Sequence, residues 1–244
     1  MSGFAVNLKS RQINRPKIAD IDRQILAEAK KISDCLISVQ CEKDPYSMLS
    51  LEKLLSLTYG EKKNVFLRIK SYSRFIEKAV TSSNFFKPQQ ELKNFCNENL
   101  LNASEDNWEK ILSSIDSSEI FEIYNHQHIQ FWRTSNFWRA TTYDILTVMV
   151  FEWFQIFQRE MNIEANLLEK ANAILNGADY IDIKQKVLIR EGIVFEELCH
   201  IPQLIEANII EAFLVKPAKL SIHNYYLVKS HGILLGQEVN TLKY

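Results

Sequence analysis

Apolar residues in the first half of the chain recur at the spacing of amphipathic helices. Over residues 18–39 they follow one another in steps of three and four, which places a single apolar stripe along one helix. The same spacing predicts further helices within 47–60, 65–80, 88–96 and 104–115. The first half is therefore predicted to be helical throughout.

Residue types that begin or end helices stand at the ends of these segments. Ser47 and Ser104 are typical N-cap residues, and Pro88 suits the first turn of a helix. Gly60 is predicted to close the second helix, because glycine is favoured just past a helix end. These signals support a helical module over residues 17–116, preceded by a polar, basic and flexible arm over residues 1–16.

The pattern changes after residue 116. Residues 120–124 and 129–132 are rich in β-branched and aromatic residues and flank a polar segment, which predicts a β-hairpin. Helical spacing with many aromatic residues returns over 136–159, and residues 163–175 form an amphipathic helix that Gly177 ends. Two further strands are predicted, over 209–215 and 225–239. The fold class is predicted to be α+β, an all-helical N-terminal module followed by an antiparallel sheet with helices over 117–244.

Composition and charge exclude several classes of protein. The 244 residues contain 46% apolar and 24% charged residues, which excludes a disordered chain, and the formal charge of −1 gives no general attraction to nucleic acid. The longest apolar run covers residues 145–151 and stops before Glu152, so it is well short of the roughly 20 residues that cross a bilayer. No secretory signal is recognisable. A cytoplasmic location without membrane contact is expected.

The four cysteines are predicted to be buried free thiols. They are widely spaced and form no Cys-x-x-Cys pair, so they suggest neither a disulfide framework nor a zinc site. They are Cys35, Cys41, Cys96 and Cys199.

The order of elements beyond residue 116 is two strands, short helices, one longer helix and terminal strands. Residues 120–125 and 129–133 supply the first two strands, 136–138 read Asn-Phe-Trp, and 142–146 read Thr-Tyr-Asp-Ile-Leu. In this order and in these residue types the segment resembles a PAS domain, a small sensory fold with a five-stranded antiparallel sheet around a ligand pocket. Thr142 stands where that family usually has glycine, and the stretch between Gly177 and Ile209 is longer and more charged than the family's middle strands.

The PAS resemblance implies a pocket that senses a small molecule or another signal, and dimerisation through flanking helices. It identifies no cofactor. The flavin-binding motif Asn-Cys-Arg-Phe-Leu-Gln is missing, and residues 163–176 contain no histidine to bind haem.

The densest aromatic segment of the chain supplies the candidate pocket. Such clusters are most often plain core, and a pocket lined by some of the rings is the functional alternative. The residues predicted to line this pocket for a small apolar or aromatic ligand are Trp132, Phe137, Trp138, Tyr143, Trp153 and Phe154.

Two rival functions have their own residues. Glu197 and His200 have the Glu-x-x-His spacing of helical-bundle metal oxidases, although a second copy of that motif is missing. The basic segment 60–93 is most simply a solvated helix face, and its alternative is a surface for nucleic acid or an acidic partner. The residues named for that surface are Lys62, Lys63, Arg68 and Lys70.

The hypothesis that accounts for most of these patterns is a non-enzymatic regulator. Its PAS-like module would bind a small ligand or dock a protein partner and would transmit the signal to the helical module. His126 and His128 are interpreted as loop residues, and the sequence contains no recognisable phosphate-binding loop and no nucleophile with a neighbouring base.

Overall fold

The fold is α+β, as the sequence predicts. The computed structural model describes residues 19–82, 85, 87–112, 119–158, 161–191, 204–217 and 225–234. Its helices are α1 (Asp20–Ser38), α2 (Met48–Ser56), α3 (Tyr59–Thr81), α4 (Pro88–Asn99), α5 (Glu105–Leu112), α6 (Asn136–Ala140), α7 (Ile145–Val150), α8 (Trp153–Ile156) and α9 (Met161–Leu175). Its strands are β1 (Leu101–Asn102), β2 (Glu119–Tyr124), β3 (Gln130–Arg133), β4 (Phe157–Gln158), β5 (Tyr180–Glu191), β6 (Leu204–Pro217) and β7 (Tyr225–Leu234).

Most of the helix ends lie where the capping residues predict them. The Ser47 hydroxyl accepts a hydrogen bond from the Ser50 amide at the start of α2, and Pro88 opens α4. The Ser104 hydroxyl accepts from the Asn107 amide at the start of α5. Gly177 follows α9 with a φ of +113°, a conformation that glycine adopts without steric cost.

The prediction that Gly60 closes α2 is wrong. The second helix already ends at Ser56, and Gly60 lies in the first turn of α3. Thr58 caps α3: its hydroxyl accepts from the Glu61 amide, while the Glu61 carboxylate accepts from the Thr58 amide at 2.7 Å. This reciprocal cap starts the helix ahead of the glycine.

The described strands form one antiparallel sheet. Its order is β3-β2-β7-β6-β5-β4, and β1 adds to β6 outside that path. β2 and β3 form the predicted hairpin, in which Glu122 lies opposite Arg133 and Ile123 opposite Trp132. The long strands β5, β6 and β7 pair in succession, and β7 returns to pair with β2. β2, the first strand of the α+β segment, thus pairs with β7, the last strand described.

The strand β5 and the first part of β6 are absent from the sequence prediction. Residues 180–191 alternate apolar and polar types in part, but four charged residues over 182–190 weaken the signal that predicts a strand. Pairing with β6 along nearly its whole length establishes β5 as a strand. The first half is likewise not purely helical, because β1 pairs with the far end of β6.

Helices of the first half pack directly on one face of the sheet. Phe121 and Ile123 of β2, Trp132 of β3, and Leu227 of β7 share this face by register and are all completely buried. The Trp132 ring stacks on Phe95 of α4, with centroids 4.8 Å apart. The helix α9 contacts β5, β6 and β7. One continuous apolar core therefore joins the helices of the first half to the sheet.

Three of the four cysteines lie within the described residues, and they are free thiols. Cys41 and Cys96 are buried free thiols and Cys35 is a half-buried one, whereas Cys199 lies outside the described part of the chain. Among the helices described, none is both long enough and apolar enough to span a membrane.

Candidate ligand site

The six aromatic residues predicted to line a pocket lie mostly in the interior. Five of them are buried and Phe154 is half-buried. Phe137 packs edge-on against Trp138 at 5.3 Å between centroids, and Trp153 packs edge-on against Phe154 at 5.7 Å. The Tyr143 hydroxyl donates to the carbonyl oxygen of Ile156. These rings come from β3, α6, α8 and the segments that flank α7.

Trp132 faces the helices of the first half. Besides stacking on Phe95, its ring meets Phe75 of α3 edge-on at 5.3 Å. Phe75 also stacks on Tyr72, one turn earlier on α3, at 5.8 Å. The aromatic cluster therefore continues from the sheet into α3 and α4, which the sequence prediction assigned to a separate module.

Tyr72 connects the cluster through hydrogen bonds. Its hydroxyl accepts from Trp138 Nε1 at 2.7 Å and donates to the carbonyl oxygen of Arg133 at 3.3 Å. Burial raises the pKa of Tyr72 well above its ordinary value, because the phenolate would be desolvated, and Arg133 partly opposes that shift. Tyr72 is therefore a neutral donor and acceptor that fixes α3 to β3 and α6.

Arg133 lies at the centre of this arrangement. Its side chain has no exposed surface, and its Cζ lies 5.4 Å from the ring centroid of Tyr72, 5.1 Å from that of Phe137 and 5.3 Å from that of Trp138. Burial lowers the pKa of Arg133 to about 10, and the opposing effects of Tyr72, Glu122 and Tyr124 are smaller. At neutral pH the guanidinium therefore remains positively charged, and it is held among aromatic rings.

The guanidinium of Arg133 forms no hydrogen bond within the described part of the chain. Among the described residues, Nε and both terminal nitrogens of Arg133 have no hydrogen-bond partner. Aromatic faces attract the positive charge but do not replace acceptors for the N–H groups, which lie in the guanidinium plane. A buried donor without an acceptor is costly, so Arg133 is the most unusual polar group of the cluster.

Arg68 of α3 is a second buried arginine close to the first. One of its terminal nitrogens donates to the carbonyl oxygen of Met149 at 2.9 Å, and its Nε has no partner in the described part of the chain. Burial and, to a smaller extent, the positive charge of Arg133 lower the pKa of Arg68 to about 10. The two like charges therefore repel each other inside the protein.

Two buried carboxylates lie near this region. Glu91 of α4 accepts from the Ser135 amide at 2.7 Å and from the Ser135 hydroxyl, which ties α4 to the start of α6. Glu122 lies opposite Arg133 on the hairpin, and its carboxylate accepts a hydrogen bond from the side-chain amide of Gln130. Neither forms an ion pair with Arg68 or Arg133 among the described contacts.

The four basic residues proposed for a nucleic-acid or partner surface do not share one surface. Lys62 is buried and forms an ion pair with Asp22 at 3.0 Å, and Arg68 belongs to the interior as described. Lys63 is exposed, and the half-buried Lys70 lies over the Phe66 ring at 5.2 Å. Two members of the set are thus engaged inside the fold.

The metal-oxidase hypothesis depends on residues that the structure does not describe. Glu197 and His200 lie outside the described part of the chain. His126 and His128 occupy the turn between β2 and β3, and no group of three potential metal ligands occurs among the residues described.

Sequence reasoning missed Tyr72, Arg133 and the interior position of Arg68. Tyr72 has the spacing of the α3 core and was recognisable as buried, but its link to Trp138 depends on tertiary contacts. Arginine is normally exposed, so a pattern of apolar positions gives no reason to place either arginine inside. The sequence predicted the hairpin, but the register that places Glu122 opposite Arg133 is known only from the structure.

Comparison with known proteins provides no functional assignment. No family model matches this chain, and no curated protein matches it. The aromatic cluster and the two buried arginines are the structural features that bear on function.

Proposed function

We propose that this protein is a regulatory sensor whose PAS-like C-terminal half binds a small molecule. The observation that carries the proposal is the buried aromatic cluster around Arg133, at the junction of the sheet, the short helices and α3. The order of two strands, three short helices, the two-residue strand β4, one longer helix and three strands in an antiparallel sheet supports the resemblance to a PAS domain.

The interior position of the cluster favours a small molecule over a protein partner. Trp132, Phe137, Trp138 and Arg133 are at most 2% exposed, so a docking protein would not reach them. A small ligand can reach them when one of the surrounding side chains moves. Enclosed sites of mainly aromatic lining with a few polar groups are typical for small molecules.

The same contacts provide a route from ligand to regulation. Tyr72 and Phe75 of α3 touch Trp138 and Trp132, so a ligand that repacks these rings also moves α3. If the ligand binds one arrangement of the helices more tightly than another, binding shifts the population toward the first arrangement. The size of the shift is set by the difference between the two affinities. This mechanism requires no chemical reaction.

The test is to identify a bound molecule and its effect on α3. Purified full-length protein is denatured, and released small molecules are identified by mass spectrometry. Amide hydrogen exchange is then compared between protein with and without the recovered compound. We expect one compound in a fixed ratio to protein, and slower exchange in α3 and β3 when it is bound.

Matched tryptophan variants make the test specific. Trp138→Phe keeps an aromatic ring but removes the Nε1 hydrogen bond to Tyr72, and we expect it to retain less compound than the wild type. Trp108→Phe, in α5, is the control and should retain the wild-type amount. The proposal would be contradicted if both variants retained the same amount of compound. It would also be contradicted if no compound were recovered and no added metabolite changed the amide hydrogen exchange.

A further inference from the structure

Arg133 is a fully buried charged group that has no ion-pair or hydrogen-bond partner among the residues the structure describes. All three of its guanidinium nitrogens lack hydrogen-bond partners in the described part of the chain, although the side chain is completely buried. The rings of Tyr72, Phe137 and Trp138 surround its Cζ, with centroids 5.1–5.4 Å away, and they provide no acceptor for its N–H groups. A hydrogen-bond acceptor placed at these N–H groups would remove the free-energy cost of leaving them unpaired.

The charge balance of the region points to an anionic acceptor. Arg68 and Arg133 place two positive charges in the interior, close enough for Arg133 to act electrostatically on Arg68. Glu122 attracts Arg133, yet no ion pair joins a carboxylate to either guanidinium among the described contacts. The neighbouring carboxylate of Glu91 accepts both hydrogen bonds of Ser135. An additional negative charge would therefore be attracted to this place.

The shape of the donor group and its surroundings narrow the class of anion. A guanidinium presents two parallel N–H groups that match the two oxygens of a carboxylate. The rings around the guanidinium offer apolar surface for the remainder of a molecule. They offer few of the additional hydrogen-bond donors that a phosphate would need. We propose that Arg133, assisted by Arg68, binds the carboxylate of a small aromatic or aliphatic acid whose apolar body packs among Phe137, Trp138 and Tyr72.

This inference rests on the proposed sensor function and specifies its ligand class. Because Arg133 has no exposed surface, the acid reaches it only when a lining side chain moves. Tyr72 is the lining residue that belongs to α3, so entry of the ligand is coupled to the helix that would carry the signal.

The experiment compares matched acids and neutral analogues on the full chain. The probes are benzoate and hexanoate, their neutral counterparts benzamide and hexanamide, and inorganic phosphate. Binding is measured by calorimetry and by the shift of the melting temperature. We expect a carboxylate to bind and to raise the melting temperature, and its amide to bind at least about tenfold more weakly, because the amide lacks the charge.

Variants assign the binding to the arginine. Arg133→Met should weaken carboxylate binding about tenfold or more, since it removes the charged donors, while Arg74→Met on the exposed face of α3 should bind like the wild type. The melting temperature of unliganded Arg133→Met should not fall, because an apolar side chain of similar volume replaces an unpaired buried charge. If Arg133→Met does not fold, the inference is tested by carboxylate binding to Arg68→Met and by the comparison of acid with amide binding to the wild type.

The outcomes separate this inference from the proposed function. Equal binding of acids and amides, tighter binding of phosphate than of either acid, or unchanged affinity in both arginine variants would overturn the carboxylate inference and leave a small-molecule sensor standing. Failure of every probe, together with no compound recovered from the purified protein, would overturn both.

Discussion

His128 combines an unusual backbone conformation with a half-buried imidazole. Its φ is +57°, in the turn between β2 and β3, and its Nδ1 lies 3.1 Å from the hydroxyl of Tyr226, whose ring stacks on Tyr124. Burial lowers the pKa of His128, and the charge of His126 lowers it further, while a hydrogen bond with Asn172 of α9 acts in the opposite direction. The net effect disfavours the imidazolium in the folded protein.

This lowered pKa predicts a loss of stability on mild acidification. Below about pH 6.5 the unfolded chain binds a proton at His128 that the folded chain does not yet bind, so the free energy of unfolding falls as the pH falls. His128→Asn keeps a residue type that tolerates positive φ and removes the titration. Urea unfolding between pH 7.5 and pH 5.5 should show a shallower pH dependence for the variant. A slope equal to that of the wild type would contradict this prediction.

At the scale of elements, Asp144 holds two helices together. Its carboxylate caps α7 by accepting from the Thr147 amide at 2.8 Å, and it also accepts from the Ser50 hydroxyl of α2 at 3.0 Å. The adjoining amides of Ile145 and Leu146 donate to the carbonyl oxygens of Asp44 and Pro45. The start of α7 is thus fixed to the loop and helix that precede it by about a hundred residues in the chain.

Loss of this cap should destabilise the protein measurably. Asp144→Ala is expected to lower the free energy of unfolding by about 1–2 kcal/mol, because α7 loses its N-cap and Ser50 loses an acceptor. Asp144→Asn should lose less, since its side-chain oxygen still accepts. Asp34→Ala, which breaks only an exposed contact with Lys30, is the control and should cost under about 0.5 kcal/mol. Urea unfolding that gives Asp144→Ala the same small effect as the control would refute the capping role.

At the scale of the whole molecule, the helical and α+β segments share one core. Phe75 and Phe95 from the first half contact Trp132 from the second, and α1, α2 and α3 all contact α7. Separating the segments would expose these rings to water. The free energy of burying them therefore couples the two parts.

This shared core predicts a single unfolding transition. In urea, the far-ultraviolet signal of the helices and the fluorescence of the buried tryptophans should change at the same denaturant concentration. Phe95→Ala should shift both midpoints together and should lower the free energy of unfolding by about 3–5 kcal/mol, because it opens a cavity under Trp132. Helical signal that persists after the fluorescence has changed would instead establish residues 17–116 as an independent module.

The sequence by itself determined most of the local structure. The three- and four-residue spacing of apolar positions predicted the helices of the first half, and Ser47 and Pro88 predicted where two of them begin. In the second half, Gly177 predicted the end of α9. The β-branched and aromatic residues of 120–124, together with the alternation over 129–132, predicted the hairpin. These features depend on neighbouring residues and on backbone preferences, which a single sequence contains.

Only the tertiary structure decided which groups meet. The strand β5 exists because β6 supplies its hydrogen bonds, and Tyr72 reaches Trp138 because α3 packs against the hairpin and α6. The positions of Arg68 and Arg133 in the interior contradict the average behaviour of arginine, so no local pattern could reveal them. Burial is a property of contacts between distant segments, and the candidate site consists of such contacts.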